Sequence, residues 1–264
     1  MTPLRTVPWF LLGALVLAQI CYPLTEGGVR AGLTMATVLI GVVLSVSHAL
    51  LCRGPRAAAA LVGTAMLGGF AVEAVGVATG FPFGSYDYSG QLGPKLLGVP
   101  LIIPLAWTWM AWPAWLAALR VARGRVARIG VAAAGLAAWD LFLDPQMVAE
   151  GYWRWHDPLP ALPGVPGVPV GNYLGWLGFA VLLMTALSAV AARTASAPAD
   201  SDAPMLALWL WTYFSSVLAH AVFLDLPGSA VWGGLLMGAA VLPLLLLRAR
   251  QHRAAASAPG ESRL

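Results

Sequence analysis

The chain has 264 residues, of which 59% are hydrophobic, and its mean hydropathy is +0.78. Only 10% of the residues are charged, against about 25% in a soluble globular domain, which excludes a disordered chain, a coiled coil and an ordinary water-soluble enzyme. The pI of 9.4 does not indicate a nucleic-acid partner, because the arginines fall in short clusters between long apolar runs typical of membrane proteins.

The long apolar runs predict membrane-spanning helices. A helix needs about 20 apolar residues to cross a hydrocarbon core of about 30 Å. Continuous hydrophobicity favours helices over the alternating strands of a β-barrel, so we expect an all-α polytopic membrane helix bundle of about eight transmembrane helices. In chain order, the predicted spans are Trp9–Leu24, Gly32–Cys52, Ala57–Gly80, Leu97–Leu119, Ile129–Ala149, Asn172–Ala192, Met205–Leu224 and Val231–Leu247.

The distribution of basic residues predicts the orientation, since Lys and Arg concentrate on the cytoplasmic side of membrane proteins. With the N-terminus in the cytoplasm, the outer side receives only Arg30, Lys95 and Arg154. The inner side receives the others: Arg5, Arg53, Arg56, Arg120, Arg123, Arg125, Arg128, Arg193, Arg248, Arg250, Arg253 and Arg263. We therefore expect a multi-pass protein of the cell (inner) membrane with both termini in the cytoplasm. Residues 1–250 would form one transmembrane domain, and residues 251–264 a flexible cytoplasmic tail.

Three carboxyl side chains inside the predicted spans are candidate catalytic groups, because a charge at a helix centre costs about 2.5–3.5 kcal/mol on insertion scales. Glu73 lies in the third span, and Asp140 and Asp144 lie four residues apart on one face of the fifth. Counted at about 1.5 Å per residue, all three fall in the outer half of the membrane. Such groups cannot all stay ionised, which favours a neutral acid beside an anion for acid–base catalysis. The alternative is that each carboxyl is a hydrogen-bonded packing group.

Two loops on the predicted outer side are rich in Gly, Pro and aromatic residues. They read GFPFGSYDYSGQLGPKLLGVPLIIPLAW and EGYWRWHDPLPALPGVPGVPVGNYLGW, and both adjoin the span ends that carry the carboxyls. Their rings suit either an interfacial belt or the wall of a binding site. Pro100, Pro104 and Pro113 favour bends in the fourth span, and such bends can open a cavity beside it.

A seam of polar residues follows the seventh predicted span. Thr212, Ser216 and His220 are spaced four residues apart and therefore share one helix face. This pattern is more typical of hydrogen bonding between helices than of catalysis.

Three sequence blocks resemble the signature blocks of the carotenoid biosynthesis membrane-protein family: EAVGVATGFPFGSYDYSGQLGPKLLGVPLIIPLAW, AWDLFLDPQMVAEGYWRW and GVPVGNYLGW. They fall within residues 66–178, and the second block is long and specific. The flanking spans resemble the family only in hydropathy. Because the family includes carotenoid 1′,2′-hydratases, the resemblance implies a hydro-lyase that adds water to the terminal C1–C2 double bond of an acyclic carotenoid.

Alkene hydration is acid chemistry, in which a proton is delivered to C2, water captures the tertiary cation at C1, and a base removes the extra proton. Asp140 or Asp144 is the predicted acid and Glu73 the group that steers water, or the order is reversed. Aromatic faces stabilise a desolvated cation by about 1–2 kcal/mol each. The predicted substrate-binding residues are Trp139, Tyr86, Tyr88, Trp107, Trp153, Asn172 and Glu150.

The expected partners are a lipophilic acyclic carotenoid, water and the lipid bilayer. We expect no nucleic acid, no metal and no other cofactor, since the resemblance implies no redox step. Association with other carotenoid enzymes stays open.

Three other interpretations remain open: a prenyltransferase, a cyclase, and a transporter or scaffold. The DLFLD sequence at 140–144 matches the DxxxD element of intramembrane prenyltransferases, which bind diphosphate through Mg²⁺, although the chain has one such element and no neighbouring Lys or Arg. A lycopene-cyclase-like enzyme would protonate the same alkene and capture the cation with an internal double bond. A proton-coupled transporter would use the carboxyls as a relay, and a scaffold for pigment enzymes would not catalyse, but the chain shows no internal repeat.

Overall fold

The computed structural model describes residues 3–191 and 199–257, and in this part of the chain long α-helices pack side by side. Two π-helical segments interrupt the helices: Val62–Leu67 joins α3 to α4 in one continuous span, and Ala219–Phe223 extends α8. The helices are α1 (Pro3–Cys21), α2 (Gly27–Arg53), α3 (Pro55–Leu61), α4 (Gly68–Thr79), α5 (Ile103–Val121), α6 (Arg125–Ala149), α7 (Val170–Ala191), α8 (Ala203–Leu218) and α9 (Pro227–Ser257).

Within the described ranges, seven helical stretches are long and apolar enough to cross a membrane, so the protein is an all-α polytopic helix bundle. Each of them corresponds to one of the eight predicted spans. The remaining predicted span, Leu97–Leu119, contains most of α5. The seven stretches are Thr6–Leu24, Gly27–Arg53, Pro55–Thr79, Arg125–Ala149, Val170–Val190, Ala203–Phe223 and Pro227–Arg250.

Helix α5 lies at the centre of the bundle, packed against α2, α6 and α8, with most of its residues buried. It contacts protein rather than lipid, and its four tryptophans are all buried. The prediction that this helix begins at Leu97 is wrong. The preceding residues form a hairpin of β2 (Lys95–Leu96) and β3 (Val99–Pro100), and Gly98 in its turn has a φ of 82°, which a helix does not allow.

Ion pairs join the helices at two opposite ends of the bundle. At one end, Asp202 accepts hydrogen bonds from Arg53 at 2.8 Å and from Arg120 at 2.5 Å, which ties α8 to α2 and α5. At the other end, Arg30 of α2 pairs with Glu150 beyond α6 at 2.5 Å. The charge distribution predicts that the first end is cytoplasmic, and we call the second the outer end.

Two short strands cover the outer end of the bundle. β1 (Tyr86–Tyr88) follows α4, β4 (Trp153–Trp155) follows α6, and the two pair antiparallel. The first and third residues of each strand are aromatic, and the middle residue is charged and exposed. Since side chains alternate along a strand, all four rings point to the same face, toward the helices.

Part of the predicted C-terminal tail is helical. Helix α9 continues to Ser257, so the segment that we predict as a tail from Gln251 begins as helix. Residues 258–264, with Arg263, and residues 192–198, with Arg193, lie outside the described part of the chain.

Candidate functional site

A cavity of about 610 Å³ lies under β1 and β4 at the outer end of the bundle. Its wall includes all three predicted catalytic carboxyls, Glu73 from α4 and the pair Asp140 and Asp144 from α6. Their exposed fractions are 1%, 2% and 4%, so none of them points into lipid. Residues from separate spans therefore meet around one enclosed space, which we call the carboxyl cavity.

Glu73 is held by two tyrosines of β1. The hydroxyl of Tyr86 donates to Oε2 of Glu73 at 2.6 Å, and the hydroxyl of Tyr88 donates to the same oxygen at 2.8 Å. Burial, together with the neighbouring Glu73 carboxyl, raises the pKa of both phenols above their ordinary value of 10.0. Both phenols consequently keep their protons and remain donors to Glu73.

The two aspartates share a polar partner. They lie one helical turn apart on α6 and accept hydrogen bonds from the same amide group. Asn172 at the start of α7 donates from Nδ2 to Oδ2 of Asp144 and, at 3.3 Å, to Oδ2 of Asp140. Trp153 of β4 lines the same cavity. Asn172 thus connects the two carboxyls at the cavity wall.

Aromatic rings line much of the remaining wall. Trp107 of α5 stacks on Trp176 of α7 with ring centroids 4.0 Å apart, and Trp176 stacks on Phe83 at 4.1 Å. The strands add Tyr88 and Trp153, whose rings meet edge to face at 5.5 Å. Such a wall suits an apolar, conjugated ligand and presents π faces to a cation.

Two glycines allow the outer segment to approach the carboxyls. A Cβ on Gly76, one turn after Glu73, would lie 2.7 Å from the ring of Phe83 and 3.0 Å from the hydroxyl of Tyr86. A Cβ on Gly175 would lie 2.9 Å from the same Phe83 ring. These distances are too short for a real side chain, so both positions need glycine for this packing.

The structure brings most of the predicted site residues into the carboxyl cavity, and it places two elsewhere. Trp139 is next to Asp140 in the chain, but a helix turns about 100° per residue, so the two side chains point in different directions. Trp139 lines an adjacent cavity, where the centroid of its ring lies 5.5 Å from that of Trp109. Glu150 pairs with Arg30 outside the cavity wall. The predicted residues on the wall are Glu73, Tyr86, Tyr88, Trp107, Asp140, Asp144, Trp153 and Asn172.

Sequence reasoning missed several residues of the wall. Trp176 lies one helical turn after Asn172, and this spacing alone places both on one face of α7. Leu143 and Met147 share the face of α6 that carries the aspartates. Thr34 of α2 also lines the cavity, but no pattern in its span indicates this.

Comparison with known proteins identifies the family. A profile described as carotenoid biosynthesis protein matches residues 32–241, a range that includes every residue of the carboxyl cavity. The chain belongs to this carotenoid biosynthesis family. Among similar proteins, the bisanhydrobacterioruberin hydratase of Haloarcula japonica is 38% identical over 127 residues, which cover 46% of this chain. The chain spans 41% of that relative's length, and no solved structure matches the chain.

Proposed function

We propose that this family member is a carotenoid hydratase, a hydro-lyase of the inner cell membrane that adds water across the terminal C1–C2 double bond of an acyclic carotenoid end group. The observation that carries the proposal is the meeting of Glu73, Asp140 and Asp144 around one buried, aromatic cavity. The name of the Haloarcula japonica relative and the family supply independent support.

The end group of the carotenoid occupies the carboxyl cavity, and the rest of the polyene extends into lipid. The cavity is bounded by helices and by β1 and β4 at one end of the bundle, so one end of the carotenoid occupies it rather than the whole molecule. Trp107 and Trp176 on the cavity wall supply aromatic surface against which the first conjugated carbons can pack.

Asp140 acts as the acid. Asp144 accepts the closer of the two bonds from Asn172, which favours its ionised form, whereas Asp140 accepts only the longer bond of 3.3 Å, so the proton of the acid is assigned to Asp140. Asp140 gives this proton to C2 as the double bond opens, which leaves a tertiary cation at C1. Aromatic rings of the cavity wall, such as Trp107 and Tyr88, then stabilise the cation by about 1–2 kcal/mol each.

Glu73 acts on the water. With its Oε2 fixed by Tyr86 and Tyr88, its other oxygen accepts a hydrogen bond from a water molecule that attacks C1. The oxygen of water bonds to C1, and the released proton passes to Glu73. Return of that proton to Asp140 through water completes the cycle, so the net change is the addition of one water molecule without oxidation or reduction.

One of the alternative functions needs groups that the cavity wall does not offer. A diphosphate substrate needs cationic partners, and the described residues that line the carboxyl cavity include no Lys or Arg. A proton-coupled transporter would use the carboxyls as a relay and would leave the carotenoid unmodified. A cyclase would use the same acid, and only its product differs.

Expression in a host that accumulates an acyclic carotene tests the proposal. We expect a new pigment heavier by the mass of one water molecule, with a tertiary alcohol at C1. Formation of an isomer of the starting carotene would identify a cyclase instead. If the variants Asp140→Asn, Asp144→Asn and Glu73→Gln accumulate normally and all still form the alcohol, the assignment of the carboxyls is wrong.

A further inference from the structure

A second cavity of about 740 Å³ adjoins the carboxyl cavity on the other side of α6. It lies among α1, α2, α5, α6 and α8, and Tyr22 and Leu224, at the outer ends of helices, form its upper rim. Thr34, Val38, Leu143 and Met147 line both cavities. These four residues therefore form a wall that the two cavities share.

The second cavity contains buried polar atoms that lack a partner. Within the described part of the protein, Thr37 Oγ1, Trp109 Nε1 and Thr212 Oγ1 line the cavity without a hydrogen bond. Their residues are 8%, 3% and 2% exposed and come from three different helices. Buried polar atoms in proteins are almost always bonded, so three of them around one space indicate an occupant that forms hydrogen bonds.

The chemistry of these atoms selects water as the occupant. The indole N–H of Trp109 can only donate, so the occupant must accept, while the two threonine hydroxyls both donate and accept. A hydrocarbon chain satisfies none of these atoms. Water satisfies all of them, because each water molecule both donates and accepts hydrogen bonds.

We propose that the second cavity is a water chamber that supplies the nucleophile to the carboxyl cavity through the shared wall at Thr34. This inference rests on the proposed hydratase function. The polar seam of α8 then has a role beyond helix packing, because Thr212, Ser216 and His220 all line the chamber. His220 is held there by Gln146 at 3.1 Å and Ser229 at 2.8 Å. Water thereby reaches the site from the outer end while the polyene enters from lipid.

Hydroxyl-radical footprinting of the full-length protein in lipid nanodiscs tests the chamber without any substrate. Radicals formed from bound water oxidise the side chains beside it, so we expect Trp109 to be oxidised several-fold faster than Trp112. Trp112 is a matched control, since it is 1% exposed, lines neither cavity and donates its N–H to His48 at 3.0 Å. Equal oxidation of the two tryptophans would overturn the proposal.

Two further measurements separate the chamber from the hydratase function. Thr212→Leu fills the chamber, and we expect it to reduce oxidation of Trp109 and to slow hydration several-fold with unchanged carotenoid affinity. The control Thr185→Leu, on an exposed face of α7, should change neither. An unchanged hydration rate in Thr212→Leu, or protection of Trp109 by added carotenoid, would overturn the chamber. Absence of any hydration by the unaltered protein would instead overturn the proposed function, whatever the footprint.

Discussion

Tyr86 in the outer strand β1 donates a 2.6 Å hydrogen bond to Glu73, which lies thirteen residues earlier in a membrane span. This bond fastens the segment that covers the carboxyl cavity to one of the groups inside it. Tyr88 makes the same connection at 2.8 Å, and β4 holds β1 in register from the other loop. The segment that covers the cavity is therefore coupled to the carboxyls, and we expect a substitution in one to alter the position of the other.

Tyr86→Phe and Tyr88→Phe should each lower the hydration rate by about tenfold. Each removes one hydrogen bond to a buried carboxyl, and such bonds contribute about 1.5–3 kcal/mol. Product formation by purified protein in detergent measures the effect. Tyr213→Phe is a matched control, because it removes a 3.0 Å bond to the carbonyl of Gly234 away from the cavity. An equal loss in Tyr213→Phe would show that the effect is general destabilisation.

The two phenols should not titrate within the working range of the protein. Burial raises the pKa of Tyr86 and Tyr88, so the stability that their protonated forms contribute is complete below the ordinary pKa of 10.0. It is lost only as the pH rises through the raised values. The difference absorbance between the unaltered protein and the Tyr86→Phe, Tyr88→Phe double variant should show no tyrosinate below pH 10. A tyrosinate signal from these two residues below about pH 10 would contradict the geometry around Glu73.

Gly76→Ala should weaken the cover. The added Cβ would lie 2.7 Å from the ring of Phe83, and overpacking of this kind costs about 1–3 kcal/mol. We expect a lower thermal unfolding midpoint and a slower hydration rate. Gly63→Ala in the same span is the control, since nothing lies within 4 Å of its Cβ position. If the two variants had the same unfolding midpoint and the same hydration rate, the close approach of Phe83 to α4 would be wrong.

Asp202→Asn separates stability from catalysis. The variant leaves Arg53 and Arg120 without their buried anion, and removing one partner of a buried ion pair costs about 3–5 kcal/mol. We expect a marked fall in the unfolding midpoint, measured by thermal denaturation in detergent. The hydration rate per folded molecule should stay unchanged, because Asp202 lies at the opposite end from the carboxyl cavity. A selective loss of hydration at full stability would link that end to the reaction.

The predictable part of the site follows from regular helix geometry. The four-residue spacing of Asp140 and Asp144 and the depth of Glu73 place the three carboxyls at one level, and the structure has them in one cavity. The spacing of Asn172 and Trp176 carries the same information for α7. Trp139 shows that neighbours in the chain need not share a site. It precedes Asp140 by one position on the same helix, so its ring lies in the wall of the second cavity instead.

The rest of the site depends on contacts between distant segments. The aromatic–charged–aromatic pattern of β1 and β4 indicates alternation in each loop, but only the fold shows that the two pair and cover the same cavity. Helix α5 illustrates a second difficulty, since its apolar run predicts the span, but only the fold shows that a hairpin of β2 and β3 precedes the helix. Thr34, which lines both cavities, is an ordinary threonine in its own sequence context.

Isotope incorporation by the purified protein tests the central claim most directly. An acyclic carotenoid is incubated with the protein in ¹⁸O-labelled heavy water, and the product is analysed by mass spectrometry. We predict one ¹⁸O in a hydroxyl at C1 and one deuterium at C2, with a loss of about 10²–10⁴-fold in Asp140→Asn, typical of a missing general acid. A product without labelled oxygen, or an Asp140→Asn variant as active as the unaltered protein, would contradict hydration by this carboxyl cluster.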